Sequence, residues 1–350
     1  MAVYTTIDKP SDYFNTVLYS GTGSENAITG IGFSPNLVWI KGRDGSSDHR
    51  LVDTVRGATK ELYSSAATAE TTDAQGLKSF DSDGFTLGTT SATNSGTKIF
   101  VSWNWLAGTT ASGTTGGSGT GKSYSYSANA TSGFSIVTYT GNATAGHLIP
   151  HGMTKVPRLI HVKSRGDDNT WHSGTIGSAS AWNDHGYLSL ANAFGTDANQ
   201  FGATPDSTNF RLGTGTGTNG NNGTRVAYCF ADVQGYQKIG KYVGNGNANG
   251  TFVHCGFKPA YVIAKNLGAA KSWFIYDNKR DPSNPVVEKL RADTSAEEAT
   301  GTDKLIDFFS NGFKILTDDA EFNTSGANYL FYAIAENPFV TSGGVPATAF

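Results

Sequence analysis

Polar and apolar positions along this chain alternate with a period of two more often than with the 3.6 of a helix. Val101, Trp103 and Trp105 share one phase, as do Val226, Tyr228 and Phe230, and again Leu330, Tyr332 and Ile334. Successive side chains of a strand point to opposite faces, so each stretch predicts a strand with one apolar face. The opposite phase holds mostly small residues (Ser102, Asn104, Ala227, Cys229 and Ala333, with Phe331 the large exception) and predicts a second packed surface, against another module. Three further runs are continuously apolar: PNLVWIK from Pro35 to Lys41, PRLIHVK from Pro157 to Lys163, and PAYVIAK from Pro259 to Lys265. They predict central strands covered on both faces, with proline at the entry, where its missing N–H is tolerated. Asp83-Gly84, Asn219-Gly220 and Asn311-Gly312 mark hairpins and connecting loops. Helical signals are confined to Asp303–Phe309 and Ser295–Thr300, each predicting a turn or two.

These features recur in order, which makes them a repeat. Each copy opens on a Gly turn (Gly21, Gly141, Gly244), continues to the Pro-to-Lys run, then to Phe85, Phe210 or Phe313, and closes on the alternating strand. The prolines are 122 and 102 residues apart and the lysines repeat those steps. The longer first step places an insertion between copies one and two. It is the low-complexity stretch 108–132, rich in Gly, Ser and Thr, and its composition predicts a flexible coil. Copies two and three, joined directly, are expected to pack as a pair. The predicted fold is all-β, with three tandem antiparallel β-sandwich (jelly-roll-like) repeats over 1–107, 133–235 and 236–340, and a tail over 341–350.

Composition narrows the function. With 44 glycines and 41 aromatic residues in 350, a charged fraction of 16% and a net charge of −3, the chain is neither a phosphate-neutralising nucleic-acid binder nor a disordered segment. No apolar run is long enough to span a membrane, and the start, Met1 to Thr6, shows no leader pattern. Cys229 and Cys255 read as small buried side chains; spacing leaves open whether they pair.

Candidate chemistry is sparse. His147 and His151 stand four apart, but Pro150 forbids the helix that would align them, and His151 falls at a scaffold position. Asp81/Asp83 and Asp318/Asp319 read as turn formers rather than as the paired carboxylates of a glycosidase. No glycine-rich loop opens a helix to cradle phosphate. Copies one and three carry an Asp-x-x-Arg element, Asp53/Arg56 and Asp277/Arg280, which copy two lacks; it reads as a loop-fixing ion pair. Trp171 and Trp273 follow the central strand at similar distances, with His49 nearby in copy one, and Trp182 lies in a polar loop. Indoles beside Asn and Asp suit sugar stacking, so these three tryptophans are the candidate glycan-binding residues; core burial is the competing reading. The expected protein is not an enzyme, with no cofactor and no metal.

Several motifs resemble one family. GFSPNLVWIKGR at Gly32–Arg43, HRLVDTVRGATKELYS at His49–Ser64, SFDSDGFTLGT at Ser79–Thr89, FVSWNWLAG at Phe100–Gly108, VAYCFADVQGYQKIGKYVGNG at Val226–Gly246 and FYAIAENPF at Phe331–Phe339 are similar to the repeated β-domains of marine bacteriophage (cyanophage-type) virion proteins, tail-fibre-like and structural. The resemblance implies a structural component of a phage virion, in a tail fibre or surface appendage, with an adhesion or host-recognition role. A capsid-surface decoration protein and a carbohydrate-binding module are the alternatives. It also implies other virion proteins as partners, a homo-oligomer with three-fold assembly, in which the face with Phe331 would take part, and possible contact with host surface glycans. Nucleic acid and membrane insertion are not expected.

Overall fold

Strands, not helices, carry the chain, as the alternation predicts. The computed structural model describes residues 4–175, 182 and 184–347. The first three residues, part of the start read for a leader, and the last three of the tail 341–350 lie outside the described residues. The first unit contains β1 (Phe14–Ser20), β2 (Asn26–Ile28), β3 (Leu37–Gly42), β4 (Arg50–Asp53), β5 (Lys60–Glu61), β6 (Thr71–Thr72), β7 (Leu77–Asp81), β8 (Gly84–Leu87), α1 (Ser91–Asn94) and β9 (Ile99–Trp105). The second begins with β10 (Thr109–Thr114), β11 (Gly116–Gly117) and β12 (Ser123–Asn129). It continues through β13 (Phe134–Thr140), β14 (His147–Pro150), β15 (Pro157–Ser164), β16 (His172–Thr175), β17 (Asp184–Tyr187), β18 (Gly195–Thr196), β19 (Phe201–Ala203), β20 (Asn209–Leu212), α2 (Thr216–Asn219) and β21 (Thr224–Ala231). The third contains β22 (Gln237–Val243), β23 (Phe252–His254), β24 (Phe257–Asn266), β25 (Trp273–Asp277), β26 (Glu288–Arg291), β27 (Ala299–Thr300), β28 (Ile306–Phe309), β29 (Gly312–Ile315) and β30 (Asn328–Pro338).

One strand order serves all three units. The main sheets run β1-β9-β3-β4, then β13-β21-β15-β16 and then β22-β30-β24-β25, all antiparallel. The smaller sheets are β2-β8-β7, β14-β20-β19 and β23-β29-β28. The Pro-to-Lys run is thus a central strand in every copy, and the closing strand lies beside it. The Gly turn is forced by a close approach. A Cβ on Gly21, Gly141 or Gly244 would stand 2.0 to 2.3 Å from a backbone oxygen of Ser95, Gly220 or Thr324. Beside each turn a buried asparagine (Asn94, Asn219 or Asn323) accepts from a turn N–H through its side-chain oxygen and donates to a carbonyl just past β8, β20 or β29, so it ties the turn to the exit of that strand.

Each unit encloses its own apolar cluster between its two sheets, and a fourth cluster draws on all three units. The alternating strands explain this. Val101, Trp103 and Trp105, with their counterparts Val226, Tyr228, Phe230 and Leu330, Tyr332, Ile334, point into the shared cluster. The small-residue phase, Ala227, Cys229, Phe331 and Ala333 included, points into each unit's own interior. The sequence-based assignment of the two faces is therefore reversed. Large side chains fill the wide space where three sheets meet; small ones fit the thin gap between two close-packed sheets. Phe331 in particular lies inside the third unit and is not on an outer interface. Rings from different units meet in the centre: Trp103 with Tyr261 at 6.0 Å, Trp105 with Phe230 at 6.5 Å, and Phe230 with Tyr332 at 4.8 Å.

Three other expectations are corrected. Much of segment 108–132 is not coil. β12 pairs along β13, β10 pairs along β12, and β11 pairs with β14, so the insertion extends both sheets of the second unit. Its glycines and serines are compatible with a two-sided polar edge, where little side-chain packing is required. Nor do the second and third units form a pair with the first tethered beside them, because all three share the central cluster. The helical reading of 303–309 fails as well. Ile306 and Phe308 are buried while Asp307 and Phe309 are half-buried, the period of a strand. In 295–300, Ala299–Thr300 is likewise a strand. Cys229 and Cys255 are free and sit in different clusters.

Candidate functional site

The polar chemistry of the chain gathers at the three seams between units, and the same backbone position builds each seam. His49, Trp171 and Trp273 all stand eight residues beyond the lysine that ends the Pro-to-Lys run. The Trp171 indole N–H donates to Tyr63 O at 2.7 Å, carrying the second unit onto the first. The Trp273 indole donates to Tyr187 O at 2.8 Å, carrying the third onto the second. His49 Nδ1 accepts from the Trp39 indole at 2.8 Å, so the ring proton is on Nε2, which donates to Arg291 O at 2.9 Å and carries the first onto the third. The three bonds close a ring. Burial holds the His49 imidazole well below its ordinary pKa, in keeping with a neutral donor.

This placement overturns the glycan assignment. Trp171, Trp273 and Trp182 are 0%, 1% and 1% exposed, so none offers an indole face to a sugar. Trp182 lies in the interior of the second unit. Trp171 and Trp273 are inter-unit bolts.

The Asp-x-x-Arg elements sit at two of these seams. In the first unit Arg56 Nε bonds Asp53 at 2.5 Å, its Nη2 bonds Leu51 O, and its Nη1 reaches Glu70 at 3.1 Å. Into this group the second unit inserts Tyr228, whose hydroxyl donates to Asp53 Oδ2 at 2.8 Å, and Arg165, which grips Glu70. The third unit repeats the arrangement. Arg280 Nε bonds Asp277 at 2.6 Å and Nη1 bonds Glu298 at 2.8 Å. The first unit then supplies Trp103, donating to Asp277 Oδ2 at 3.0 Å, and Arg43, forked onto Glu298. Burial opposes the charge on Arg56 and Arg280, but their carboxylate partners outweigh it and both stay firmly protonated.

The third seam replaces this network as a set. Thr175 stands where the others have Asp, Phe194 where they have Glu, and Leu267 where they have Arg. The backbone bond survives at all three: Glu70 N to Arg165 O, Glu298 N to Arg43 O, and Phe194 N to Leu267 O. Phe194 packs on Trp273 with ring centres 5.9 Å apart. Without the buried guanidinium a carboxylate would be left unpaired, so losing one member favours losing all. Sequence reasoning noticed the missing Asp-x-x-Arg element in copy two but not the concerted change. Its signal was present as Arg43 and Arg165, two residues past their lysines, against Leu267 past the third.

The lysine of the repeat also has a place. Lys41, Lys163 and Lys265 are buried, and their ammonium groups donate to carbonyls. Lys41 reaches Ser295 O at 3.3 Å and Lys265 reaches Ala191 O at 2.7 Å, each across a seam. Burial lowers all three to about 8. His147 bonds Thr115 at 2.6 Å and Asn219 at 2.9 Å, while His151 bonds Asp206 O at 3.1 Å.

Residues 9–338 match a domain of unknown function, DUF7483. The chain belongs to that family. The matched span takes in all three units, so the DUF7483 domain corresponds to the whole ring rather than to one sandwich. Comparison with curated proteins and with solved structures yields no match.

Proposed function

We propose that this DUF7483 protein is a non-enzymatic structural component of a phage virion, a tail-fibre or surface-appendage part that presents loops for host recognition. Each unit reads as a jelly-roll-like sandwich. One observation carries the proposal: the indoles, guanidinium–carboxylate groups and buried lysines that could have made a reactive or sugar-stacking site are turned inward, where they bolt three units into one body. A rigid scaffold with solvent-facing loops suits presentation and load transfer. The motif resemblance to cyanophage-type virion proteins points the same way. Other virion proteins are the partners in this reading. The surfaces that repeats would offer to further copies are largely consumed within the chain, so a homotrimer would have to use surfaces outside the seams.

The pseudo-threefold arrangement favours a second reading, capsid-surface decoration, because one chain would match a three-fold position on a shell. Quantitative mass spectrometry and cryo-electron microscopy of purified particles test both. A few to some tens of copies at the tail supports the appendage, hundreds on the shell support decoration, and absence from the particle overturns both. With the three tryptophans buried, a glycan contact would have to come from exposed loops.

A further inference from the structure

The second unit carries a cover that the third lacks. β12 lies along β13 with Tyr124 opposite Tyr139, Tyr126 opposite Val137 and Ala128 opposite Ser135. The Tyr124 and Tyr126 rings stack at 6.0 Å and pack against that unit's interior, while β11 extends the opposing sheet. In the third unit the same side, between β22 and β23, is an open groove of about 470 Å³. By register, Tyr242, Gly240 and Lys238 take the places of Tyr139, Val137 and Ser135. Among the described residues no strand pairs with the outer side of β22. Val243 and Phe252 on the rim are 53% and 44% exposed, large apolar groups at an unpaired edge.

The edge itself is held by stand-ins. Ile239 N–H turns outward to Asp232 Oδ1 at 2.8 Å, and Val243 C=O accepts from Thr251 at 2.7 Å. Backbone direction alternates along a strand, so Lys241 between them directs its N–H and C=O to the open side. Asp232 also holds Lys238 at 3.2 Å and Arg158 at 3.8 Å, so a single carboxylate serves two cations and one amide. His254 adds a further basic side chain to the groove, and Lys241 pairs with Asp184.

We propose that this groove receives an extended strand of a partner protein, added antiparallel to β22. The incoming strand carries aromatic side chains at i and i+2, opposite Tyr242 and Gly240, and a carboxylate at i+4, opposite Lys238. β12 supplies the template for the first two, and the excess of cations around Asp232 selects the third. Asp232 occupies the place of the partner's carboxylate until the strand arrives. The inference is independent of the virion reading.

The probe is a synthetic peptide copying Ser123–Asn129 with Ala128→Glu, added at millimolar concentration to the full chain. Amide hydrogen exchange at Lys241 and Val243 is expected to slow by about tenfold or more. Asp232→Ala, which frees Ile239 N–H and both cations, should strengthen the effect, and Lys238→Glu should weaken it. Near-ultraviolet circular dichroism checks that each variant is folded. Unchanged exchange in both the parent and Asp232→Ala overturns the proposal. So does equal slowing by a peptide with both tyrosines changed to Ala. Slowing that follows protein concentration with no peptide present would make a second copy the occupant and also overturn it.

Discussion

Replacing Asp277 with Ala should remove much of the stability of the whole chain. The carboxylate is fully buried and accepts four hydrogen bonds: from the backbone N–H of Lys279 and Arg280 at 3.1 and 2.9 Å, from Arg280 Nε at 2.6 Å and from the Trp103 indole at 3.0 Å. Removing one partner of a buried ion pair costs about 3–5 kcal/mol. Arg280 keeps Glu298 and Ile275 O, both at 2.8 Å, which places its share near the lower end. The stranded Trp103 N–H adds about 1–3 kcal/mol. The expected total of about 4–6 kcal/mol compares with the 5–15 kcal/mol of an ordinary folded protein. The assay is equilibrium urea unfolding followed by tryptophan fluorescence. It is run on Asp277→Ala, Arg280→Ala and the double variant. The double variant has no orphaned guanidinium and should fall short of the sum by about 2 kcal/mol or more. A loss below about 1.5 kcal/mol for Asp277→Ala, or an additive double variant, would refute the view that this seam is a coupled buried network.

Three further outcomes are expected. Trypsin should leave the native chain uncut after Lys122, because its carbonyl and ammonium are both bonded, to Thr115 N and to Asn222; rapid cleavage there would restore the coil. Gly141→Ala should cost about 1–3 kcal/mol or more, since its Cβ would lie 2.3 Å from Gly220 O, whereas Gly116→Ala, with open space around it, should be near neutral in the same melt. Finally, the melting temperature should rise from pH 8 to 9. The three buried lysines release protons near 8 when folded but near 10.5 when unfolded, so the unfolded state holds more protons in that window and stability increases with pH. Above 9 the gain is opposed by the buried thiols of Cys229 and Cys255, and towards 10 by buried tyrosines such as Tyr228 and Tyr261, because burial raises the pKa of all of them and the unfolded state then holds fewer of their protons. A flat or falling curve from 8 to 9, or one unchanged by Lys41→Met, would contradict this.

The amino-acid sequence by itself determined the local pieces. Period-two alternation specified strands and the Gly turns specified where each copy begins, because both depend on neighbours a few residues apart, and matching these local markers along the chain specified three copies. The tertiary structure decided what those pieces face. Trp103 and Ser102 alternate in either arrangement, and only the meeting of three sheets shows that the large phase belongs to the shared centre. Trp171 and Trp273 carry the same residue type in a sugar site and in a seam, and burial separates the two. Arg43 lies more than two hundred residues from Asp277 and Glu298 along the chain, so no spacing rule could join it to them. The stretch 108–132 shows the limit most sharply. Its composition favours coil, and an open pair of sheet edges supplies the backbone partners that make it strand.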